Sequence, residues 1–339
     1  MRGWTQSQEG DVMRGIQLTE HGGPEVLKCS ELPEPQADGK VLVEVKMAGI
    51  NRRDALIREG AGPQYRPHLP LILGSDAAGI RRDTGEEVIV FPSLNWGDSD
   101  ACAGPDFSIL GGPSDGTYAE LIAVPEENLY PKPKRMAWAE AGALALSGVT
   151  AYRALFTVGQ LEKGQTVVIL GAGSGLSLLA LQLAVKVGAR VAVTSSNHDK
   201  INLAKELGAV TGVDYTVDDW ELTLRDEIGE ADLVFDSVGS TLQESVMMLK
   251  PGGAVVALGG TENQGVVEDF DIRTLYLAHK RVLGTAMGSP RDFAGLLDMV
   301  EDGSIDPIID SVYPLDEAAE AHSQLDSNLR FGKIVLSTD

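Results

Sequence analysis

One segment, residues 166–184 with the sequence TVVILGAGSGLSLLALQLA, restricts the fold of this chain more than any other. An apolar strand runs directly into alternating glycines, and an apolar helix pattern follows at once. Glycine lets backbone N–H groups approach a pyrophosphate, and the N-terminus of the helix adds a partial positive charge. The third glycine of a GxGxxG fingerprint would fall at Leu176 or Ser177, so the match is incomplete. We predict a dinucleotide-binding turn whose contacts come from Gly171, Gly173, Ser174, Gly175 and Leu176.

The rest of the chain shows two kinds of sequence pattern. Apolar strand patterns at 166–170, 190–194, 231–239 and 252–260 alternate with helical patterns, which predicts an α/β fold with a parallel, doubly wound sheet. The first part of the chain instead has short β-runs at 41–50, 85–91 and 117–124 between Gly and Pro residues, which predicts a β-barrel-like domain. Patterning alone leaves open whether the C-terminal stretch extends the sheet or returns to the first domain.

The residues after the second strand of the predicted sheet bear on the cofactor. Dinucleotide-binding folds place an acidic residue there to bind ribose hydroxyls, and so do methyltransferases that use S-adenosylmethionine, but this chain has Thr194-Ser195-Ser196-Asn197. The missing carboxylate argues against such a methyltransferase and against NAD. Ser195, Ser196 and Lys200 suit the 2′-phosphate of NADP(H). They also have an ordinary interpretation as loop or cap residues and a solvated helix charge.

Composition excludes several classes of partner. The 339 residues include 28 Lys and Arg against 50 Asp and Glu, a net charge of −22 that would repel a nucleic acid. Such acidity fits either ordinary solubility or a high-salt cytoplasm. Two cysteines are too few for a disulfide framework and suggest a reducing compartment. We find no apolar run of membrane-spanning length and no secretory signal, so we expect a cytoplasmic protein without a membrane partner.

Several segments, in this order, resemble a zinc-free medium-chain dehydrogenase/reductase of the quinone oxidoreductase branch. They are AGINRRDALIREG (48–60), LPLILGSDAAG (69–79), VFPSLNWG (90–97), DGTYAELIAVP (115–125), EAGALALSGVTAYRAL (140–155), the glycine turn and FGKIVL (331–336). The resemblance implies a GroES-like β-barrel catalytic domain formed by residues 13–140 and 289–339. A Rossmann NADP-binding domain would occupy 141–288, and residues 1–12 would be a disordered extension. It also implies a cofactor in the cleft between the domains, and a homodimer.

The same resemblance bears on zinc. Zinc-dependent members bind the catalytic ion through Cys, His and Cys, and these positions correspond here to Asn51, Ser75 and a residue near Leu146. The structural-zinc lobe is reduced to a loop containing Cys102. Zn²⁺ prefers thiolate, imidazole or carboxylate ligands, so we expect no metal. Without a Lewis acid, alcohol oxidation is disfavoured and reduction of an electrophilic acceptor fits better.

The resemblance also assigns roles to individual residues. Asn51 would lie near the nicotinamide and donate an amide hydrogen bond to the acceptor, although it also suits a helix N-cap. Tyr65 is a candidate proton donor displaced by a few residues from the tyrosine of related enoyl reductases, with a surface-loop role as the alternative. The remaining predicted cofactor contacts are Thr150, Tyr215, Gly239, Leu258, Gly259, Gly288, Ser289, Phe331, Gly332 and Lys333.

We therefore expect hydride transfer from NADPH to a small-molecule electron acceptor, either a quinone or an α,β-unsaturated carbonyl. A quinone needs no strong protein acid, because its reduced oxygen can take a proton from water. Two alternatives remain: an enoyl or enone double-bond reductase, and a non-catalytic NADPH-binding protein.

Overall fold

The computed structural model describes residues 11–259, 266–267, 270–327 and 329–339. In these residues the strands are β1 Val12–Leu18, β2 Cys29–Pro33, β3 Val41–Gly49, β4 Leu71–Ile72, β5 Asp76–Arg81, β6 Glu87–Val90, β7 Ser93–Leu94, β8 Ser108–Ile109, β9 Leu121–Val124, β10 Leu129–Pro131, β11 Thr166–Ile169, β12 Arg190–Ser195, β13 Thr211–Asp214, β14 Ala231–Asp236, β15 Leu249–Ala257, β16 Arg281–Gly284, β17 Ile309–Pro314 and β18 Lys333–Ser337. The α-helices are α1 Arg52–Glu59, α2 Trp138–Tyr152, α3 Gly175–Val187, α4 His198–Glu206, α5 Trp220–Ile228, α6 Leu242–Met247, α7 Arg273–Tyr276, α8 Pro290–Val300 and α9 Ala318–Ser323.

The second half of the chain forms a parallel six-stranded sheet in the order β13-β12-β11-β14-β15-β16. Val167 at its centre pairs with Val191 on one side and Leu233 on the other. All four residues of β11 are buried, as expected for a parallel strand covered on both faces. The chain runs outward from β11 in both directions, so a crevice opens beyond the carboxyl ends of β11 and β14. The predicted doubly wound sheet is confirmed.

The first domain contains a seven-stranded antiparallel-rich sheet in the order β10-β6-β5-β3-β18-β17, with β9 also on β3, and a three-stranded sheet β2-β1-β4. The C-terminal strand β18 pairs with β3, with Val335 opposite Gly49. The C-terminal stretch therefore returns to the first sheet, a question that the sequence pattern left open. The domain boundaries at 140/141 and 288/289 remain predictions.

The predicted extension over residues 1–12 needs one correction. Residues 1–10 lie outside the described residues. Val12 already belongs to β1, where it pairs with Pro33 of β2. Met13 is buried, so the strand ladder and the core hold the chain from this point onward.

Helix α2 lies between the two sheets. It continues into a π-helical turn, Arg153–Val158, and the combined 21 residues are long and apolar enough to cross a bilayer by length and composition. From the sequence we expected no segment of membrane-spanning length. However, 72% of its most apolar window is buried inside the fold. At Gly142 an added Cβ would lie 2.7 Å from the Met47 side chain, which shows how closely α2 packs on β3. We interpret α2 as a core helix.

A buried chain of hydrogen bonds fixes α1 against the barrel. The Tyr118 hydroxyl lies 2.9 Å from Asp54 Oδ2 and 3.1 Å from His322 Nε2, and His322 Nδ1 lies 3.1 Å from Arg58 Nη1. Arginine can only donate, so His322 Nδ1 accepts, Nε2–H donates to Tyr118, and Tyr118 donates to Asp54. Burial raises the pKa of Asp54 to about 6, although the Asn51 N–H also donates to it. Burial, with the Arg58 cation beside it, lowers the pKa of His322 to about 3.

The His322 pKa predicts a pH-dependent contribution to stability. Unfolded histidine takes up a proton near pH 6.5, whereas folded His322 stays neutral down to about pH 3. The contribution of neutral His322 to the free energy of unfolding is therefore complete above pH 6.5 and decreases as the pH falls from 6.5 towards 3. We expect His322→Gln to be less stable than the parent at pH 7, and the gap in unfolding free energy to narrow by about 2 kcal/mol at pH 5. Urea unfolding at both pH values measures the gap. The exposed His68→Gln is the control, and an unchanged gap for His322→Gln would refute the prediction.

Candidate active site

The glycine turn begins at the carboxyl end of β11. Gly171 and Gly173 have φ values of +73° and +120°, which favour glycine. The Gly171 N–H donates to Thr194 Oγ1 (3.2 Å) and the Ala172 N–H to Thr194 O (2.8 Å), so β12 holds the turn in place. Ser174 caps α3 by accepting from the Ser177 N–H at 3.1 Å. The turn thus presents the N-terminus of α3 at the crevice, where a diphosphate can bind.

Ser177 stands at one of the two expected positions of the third fingerprint glycine. It is 1% exposed, and its hydroxyl donates to Leu170 O at 3.2 Å. A small residue is therefore accommodated where α3 packs on β11, so the incomplete fingerprint still gives the expected strand–turn–helix unit. Leu176 lies in the first turn of the same helix.

The C-terminal segment docks onto this turn. The Gly332 N–H donates to Gly173 O at 2.9 Å, and the Lys333 N–H donates to Ile308 O at 2.8 Å. Gly332 has φ +124°, and an added Cβ would come closer than 3.0 Å to Ile308 O. At Gly175 an added Cβ would meet the aliphatic part of Lys333. Gly175 was predicted to contact the cofactor, and the aliphatic part of Lys333 occupies the space where its Cβ would be.

Lys333 ends in a buried polar cluster. Its Nζ lies 2.6 Å from Asn51 Oδ1, 3.1 Å from Asp76 Oδ2 and 3.5 Å from Ser147 Oγ. Asp76 also accepts from the Leu146 N–H through Oδ1 at 2.6 Å. Asn51, Asp76, Ser147 and Lys333 are each at most 6% exposed. We name these four residues the lysine cluster.

This geometry corrects two predicted roles. Lys333 was expected to close over the nicotinamide, but its ammonium points into the lysine cluster. Asn51 was expected to donate its amide to the acceptor, but Nδ2 is directed at Asp76 Oδ2 (3.0 Å) and Gly49 O (3.4 Å). Asn51 also precedes α1 as its N-cap, with its N–H bonded to Asp54 Oδ2, so that alternative is correct.

The residues that correspond to zinc ligands in the resemblance do not form a zinc site. Asn51 offers an amide oxygen already bonded to Lys333, and the Ser75 hydroxyl donates to Leu110 O at 2.8 Å. The Leu146 side chain has no donor atom. Over the described parts of the chain, no group of three or more His, Cys, Asp or Glu side chains could hold a metal ion. A buried ammonium beside Asn51 would also repel a cation. The donor set does not fit zinc.

Two cations lie beside the glycine turn. Lys200 of α4 passes over Gly173, where an added Cβ would lie 2.7 Å from Lys200 Cδ. Burial lowers the pKa of Lys200, the charge of Arg330 lowers it further, and Asp310 opposes both. Arg330 itself donates to Gly332 O at 2.7 Å. Arg330 was not among the residues predicted from the sequence, although it directly precedes the FGK segment.

The other residues predicted near the 2′-phosphate lie at the ends of neighbouring strands. Ser195 is 4% exposed and its hydroxyl accepts from the Asn197 N–H, a local turn contact. Asn197 caps α4, and Ser196 lies between them, partly exposed. Tyr215 follows β13 and is 44% exposed. The structure thus leaves Ser196, Tyr215 and Lys200 reachable on one side of the crevice, whereas the Ser195 hydroxyl is used internally.

The remaining predicted contacts fall into two groups. Gly239 follows β14, and Leu258 and Gly259 follow β15, at the crevice. The Gly239 N–H and the Val238 N–H both donate to Asp236 Oδ1. The second group is taken up by structural contacts. The Thr150 hydroxyl donates to Leu146 O within α2, Gly288 O accepts from Ser93, the Phe331 N–H donates to Asp310, and Ser289 caps α8 while only 2% exposed.

Tyr65 is not part of the lysine cluster. It ends a short 3₁₀ turn, Pro63–Tyr65, and packs partly buried against the barrel core. Its phenol lies within electrostatic range of the Arg53 guanidinium.

Comparison with known proteins agrees with this architecture. Residues 37–134 match the alcohol dehydrogenase GroES-like domain, and residues 175–302 match the zinc-binding dehydrogenase family. The quinone oxidoreductase of Mus musculus is 30% identical over 96% of this chain and 98% of that protein. The 2-methylene-furan-3-one reductase of Solanum lycopersicum is 32% identical over 96% of this chain and 79% of that protein. A crystal structure of an NAD-dependent alcohol dehydrogenase superposes with a TM-score of 0.90 at 33% identity, covering 96% of this chain and all of that one.

The hydrogen bond from the Gly332 N–H to Gly173 O gives a testable prediction. Gly332→Ala adds a Cβ against Ile308 O at a left-handed position, whereas Gly164→Ala adds one at φ +84° with nothing within 4 Å. Both substitutions strain the backbone, so their difference isolates the clash. We expect Gly332→Ala to lose about 1–3 kcal/mol more unfolding free energy than Gly164→Ala. We also expect it to bind dinucleotide more weakly, as measured by fluorescence titration. Equal losses of unfolding free energy in the two variants would contradict close packing of Gly332 at this position.

Proposed function

The chain belongs to the medium-chain dehydrogenase/reductase family, with the quinone oxidoreductase-like proteins, and on that premise we propose that it transfers hydride from NADPH to a quinone without zinc. The family consists of oxidoreductases that depend on nicotinamide dinucleotides. The acceptor, the preference for NADPH and the absence of zinc are our proposal.

The observation that carries the proposal is the lysine cluster. Asn51, Ser75 and Leu146 supply no zinc ligand set, and the Lys333 ammonium lies 2.6 Å from Asn51 Oδ1. An alcohol must lose a proton from oxygen as it loses hydride, a step that a Lewis acid assists. A quinone needs no such activation, because its ring carbonyls are already electrophilic. Reduction of a quinone therefore fits these residues better than oxidation of an alcohol.

The preference for NADPH rests on charge. β12 ends in Thr194-Ser195-Ser196 without the carboxylate that would bind an unphosphorylated ribose and repel a phosphate. Lys200 and Arg330 bring two positive charges to the same side of the crevice. A charged nitrogen donor binds a phosphate oxygen through a strong hydrogen bond.

In this mechanism the protein binds and orients, and the nicotinamide supplies the hydride when it is bound. The α3 N-terminus and the glycine turn would hold the diphosphate. The C-terminal segment keeps that turn in register through Gly332, and Lys333 joins it to Asn51 and Asp76. The reduced quinone would take its proton from water, since Asn51 has its amide protons engaged and Tyr65 lies outside the lysine cluster.

Enone reduction is the second candidate function, since the relative from Solanum lycopersicum is a 2-methylene-furan-3-one reductase. An enone needs a proton on carbon or oxygen after hydride addition, and Tyr65 is a candidate donor that lies a few residues away from the position of the tyrosine in related reductases. A Tyr65→Phe variant separates the two candidates. It should depress enone reduction and leave quinone reduction unchanged.

The first experiment measures oxidation of NADPH with 1,4-benzoquinone and with an enone, and reduction of NADP⁺ with a primary alcohol. Each assay is run with and without a zinc chelator. We expect turnover of the quinone, unaffected by the chelator, and no oxidation of the alcohol. Turnover of the alcohol that is lost with the chelator would refute the proposal. NADPH binding without turnover of any acceptor would favour the alternative of a non-catalytic NADPH-binding protein.

Lys200→Ala tests the cofactor preference. Loss of one charge-assisted hydrogen bond, worth about 1.5–3 kcal/mol, should raise the KM for NADPH about tenfold or more and leave the KM for NADH unchanged. Lys205→Ala, an exposed lysine on the same helix, is the matched control and should change neither value. Equal effects of Lys200→Ala on both cofactors would show that Lys200 does not recognise the 2′-phosphate.

A further inference from the structure

Arg53 is a partly buried cation whose hydrogen bonds to described residues involve no carboxylate. It lies in the first turn of α1, two residues after Asn51. Its Nη1 donates to Ser75 Oγ (3.3 Å) and Leu110 O (3.2 Å), and its Nη2 donates to Gly112 O (2.6 Å). These contacts are to a hydroxyl and to backbone carbonyls, and within the described part of the chain Arg53 forms no ion pair. Burial lowers its pKa, although an arginine remains protonated at any physiological pH.

The position of Arg53 connects it to the lysine cluster. Ser75, its hydroxyl partner, is followed by Asp76, which accepts from Lys333 and Asn51. Lys333 has its charge balanced by Asp76 at 3.1 Å, whereas Arg53 forms no ion pair of this kind with any residue that the structure describes. Among the described residues the Arg53 guanidinium therefore contacts no carboxylate directly, although the nearby Asp54 charge opposes the effect of burial on its pKa.

Arg53 is also the accessible member of this neighbourhood. Ser75 and Asp76 are fully buried and the lysine cluster is at most 6% exposed, whereas Arg53 is partly exposed. A guanidinium has five N–H donors, and its hydrogen bonds to described residues leave Nε–H and one Nη2 proton without an acceptor. Such a pair of protons can bind one oxygen atom that carries negative charge.

We infer that Arg53 binds the carbonyl oxygen of the acceptor and stabilises the negative charge that this oxygen gains during reduction. The inference rests on the proposed function. Hydride adds two electrons and one proton to the quinone, the cofactor is oxidised to NADP⁺, and the quinone becomes a hydroquinone monoanion whose charge is on oxygen. Arg53 holds that oxygen and keeps its own proton, and water then supplies the second proton. Preorganised charge next to a developing oxyanion is a large source of rate acceleration.

The kinetic test compares Arg53→Gln with Arg66→Gln. Arg66 is an exposed arginine that also donates to a backbone carbonyl, that of Gly60, so it controls for loss of a structural bond. We expect Arg53→Gln to lower kcat/KM for 1,4-benzoquinone about 10²–10³-fold and to leave the Kd for NADPH unchanged, and Arg66→Gln to change neither. If the parent reduces benzoquinone and Arg53→Gln does so equally well, the inference is wrong and the proposed function stands.

A second readout does not depend on turnover. 4-Nitrophenolate resembles a hydroquinone monoanion, and its binding to the protein saturated with NADP⁺ can be followed by absorbance. We expect the parent to bind the phenolate at least about tenfold more tightly than Arg53→Gln, and Arg53→Lys to fall between them because one ammonium cannot reproduce the planar fork. Equal phenolate binding by properly folded parent and Arg53→Lys and Arg53→Gln proteins would overturn the inference. Tight, Arg53-dependent binding with no quinone turnover would support the inference and refute the proposed function.

Discussion

The ammonium group of Lys333 connects three parts of the molecule that are far apart in sequence. It lies at the start of the last strand, its aliphatic stem covers Gly175 at the N-terminus of α3, and its Nζ contacts Asn51 and Asp76 of the first domain. A buried charge is tolerated only when it is paired and hydrogen-bonded, and loss of one partner costs about 3–5 kcal/mol. The phosphate side and the acceptor side of the site are therefore held in one arrangement by the same side chain.

The charges of the site differ in sign from those of the whole chain. The protein carries −22, yet Lys200, Arg330, Lys333 and Arg53 lie along the glycine turn and the start of β5. Asp76 neutralises Lys333, whereas Lys200 and Arg330 lie close enough for their positive charges to add to the local potential. An isolated positive region in a negative field attracts anions. This contrast is consistent with a phosphorylated cofactor on one side and an acceptor oxygen that becomes negative on the other.

Some site residues were predictable and others were not, for identifiable reasons. The glycine turn was predictable because a strand, glycines and a helix follow each other directly in the chain. The role of Gly175 was not, because the atom that fills its space belongs to Lys333, more than 150 residues away. The direction of the Asn51 amide was not either, because it depends on Asp76 and Lys333 together. Arg330 precedes the FGK segment and Arg53 lies within AGINRRDALIREG, but their local sequence assigns neither a role, and only their spatial neighbours do.

The amino-acid sequence by itself determined the local units: the parallel strands with their apolar cores, the glycine turn, the missing acid after β12 and the identities of Asn51, Ser75 and Leu146. These depend on residue type and short-range spacing, which act wherever the segment is placed. The tertiary structure alone decided that the C-terminal strand pairs with β3, that Lys333 is buried against Asp76, and that Arg53 donates to a hydroxyl and to backbone carbonyls. Burial and partnership are set by contacts between distant segments, and those contacts decide whether a cation is a solvated surface group or a functional one.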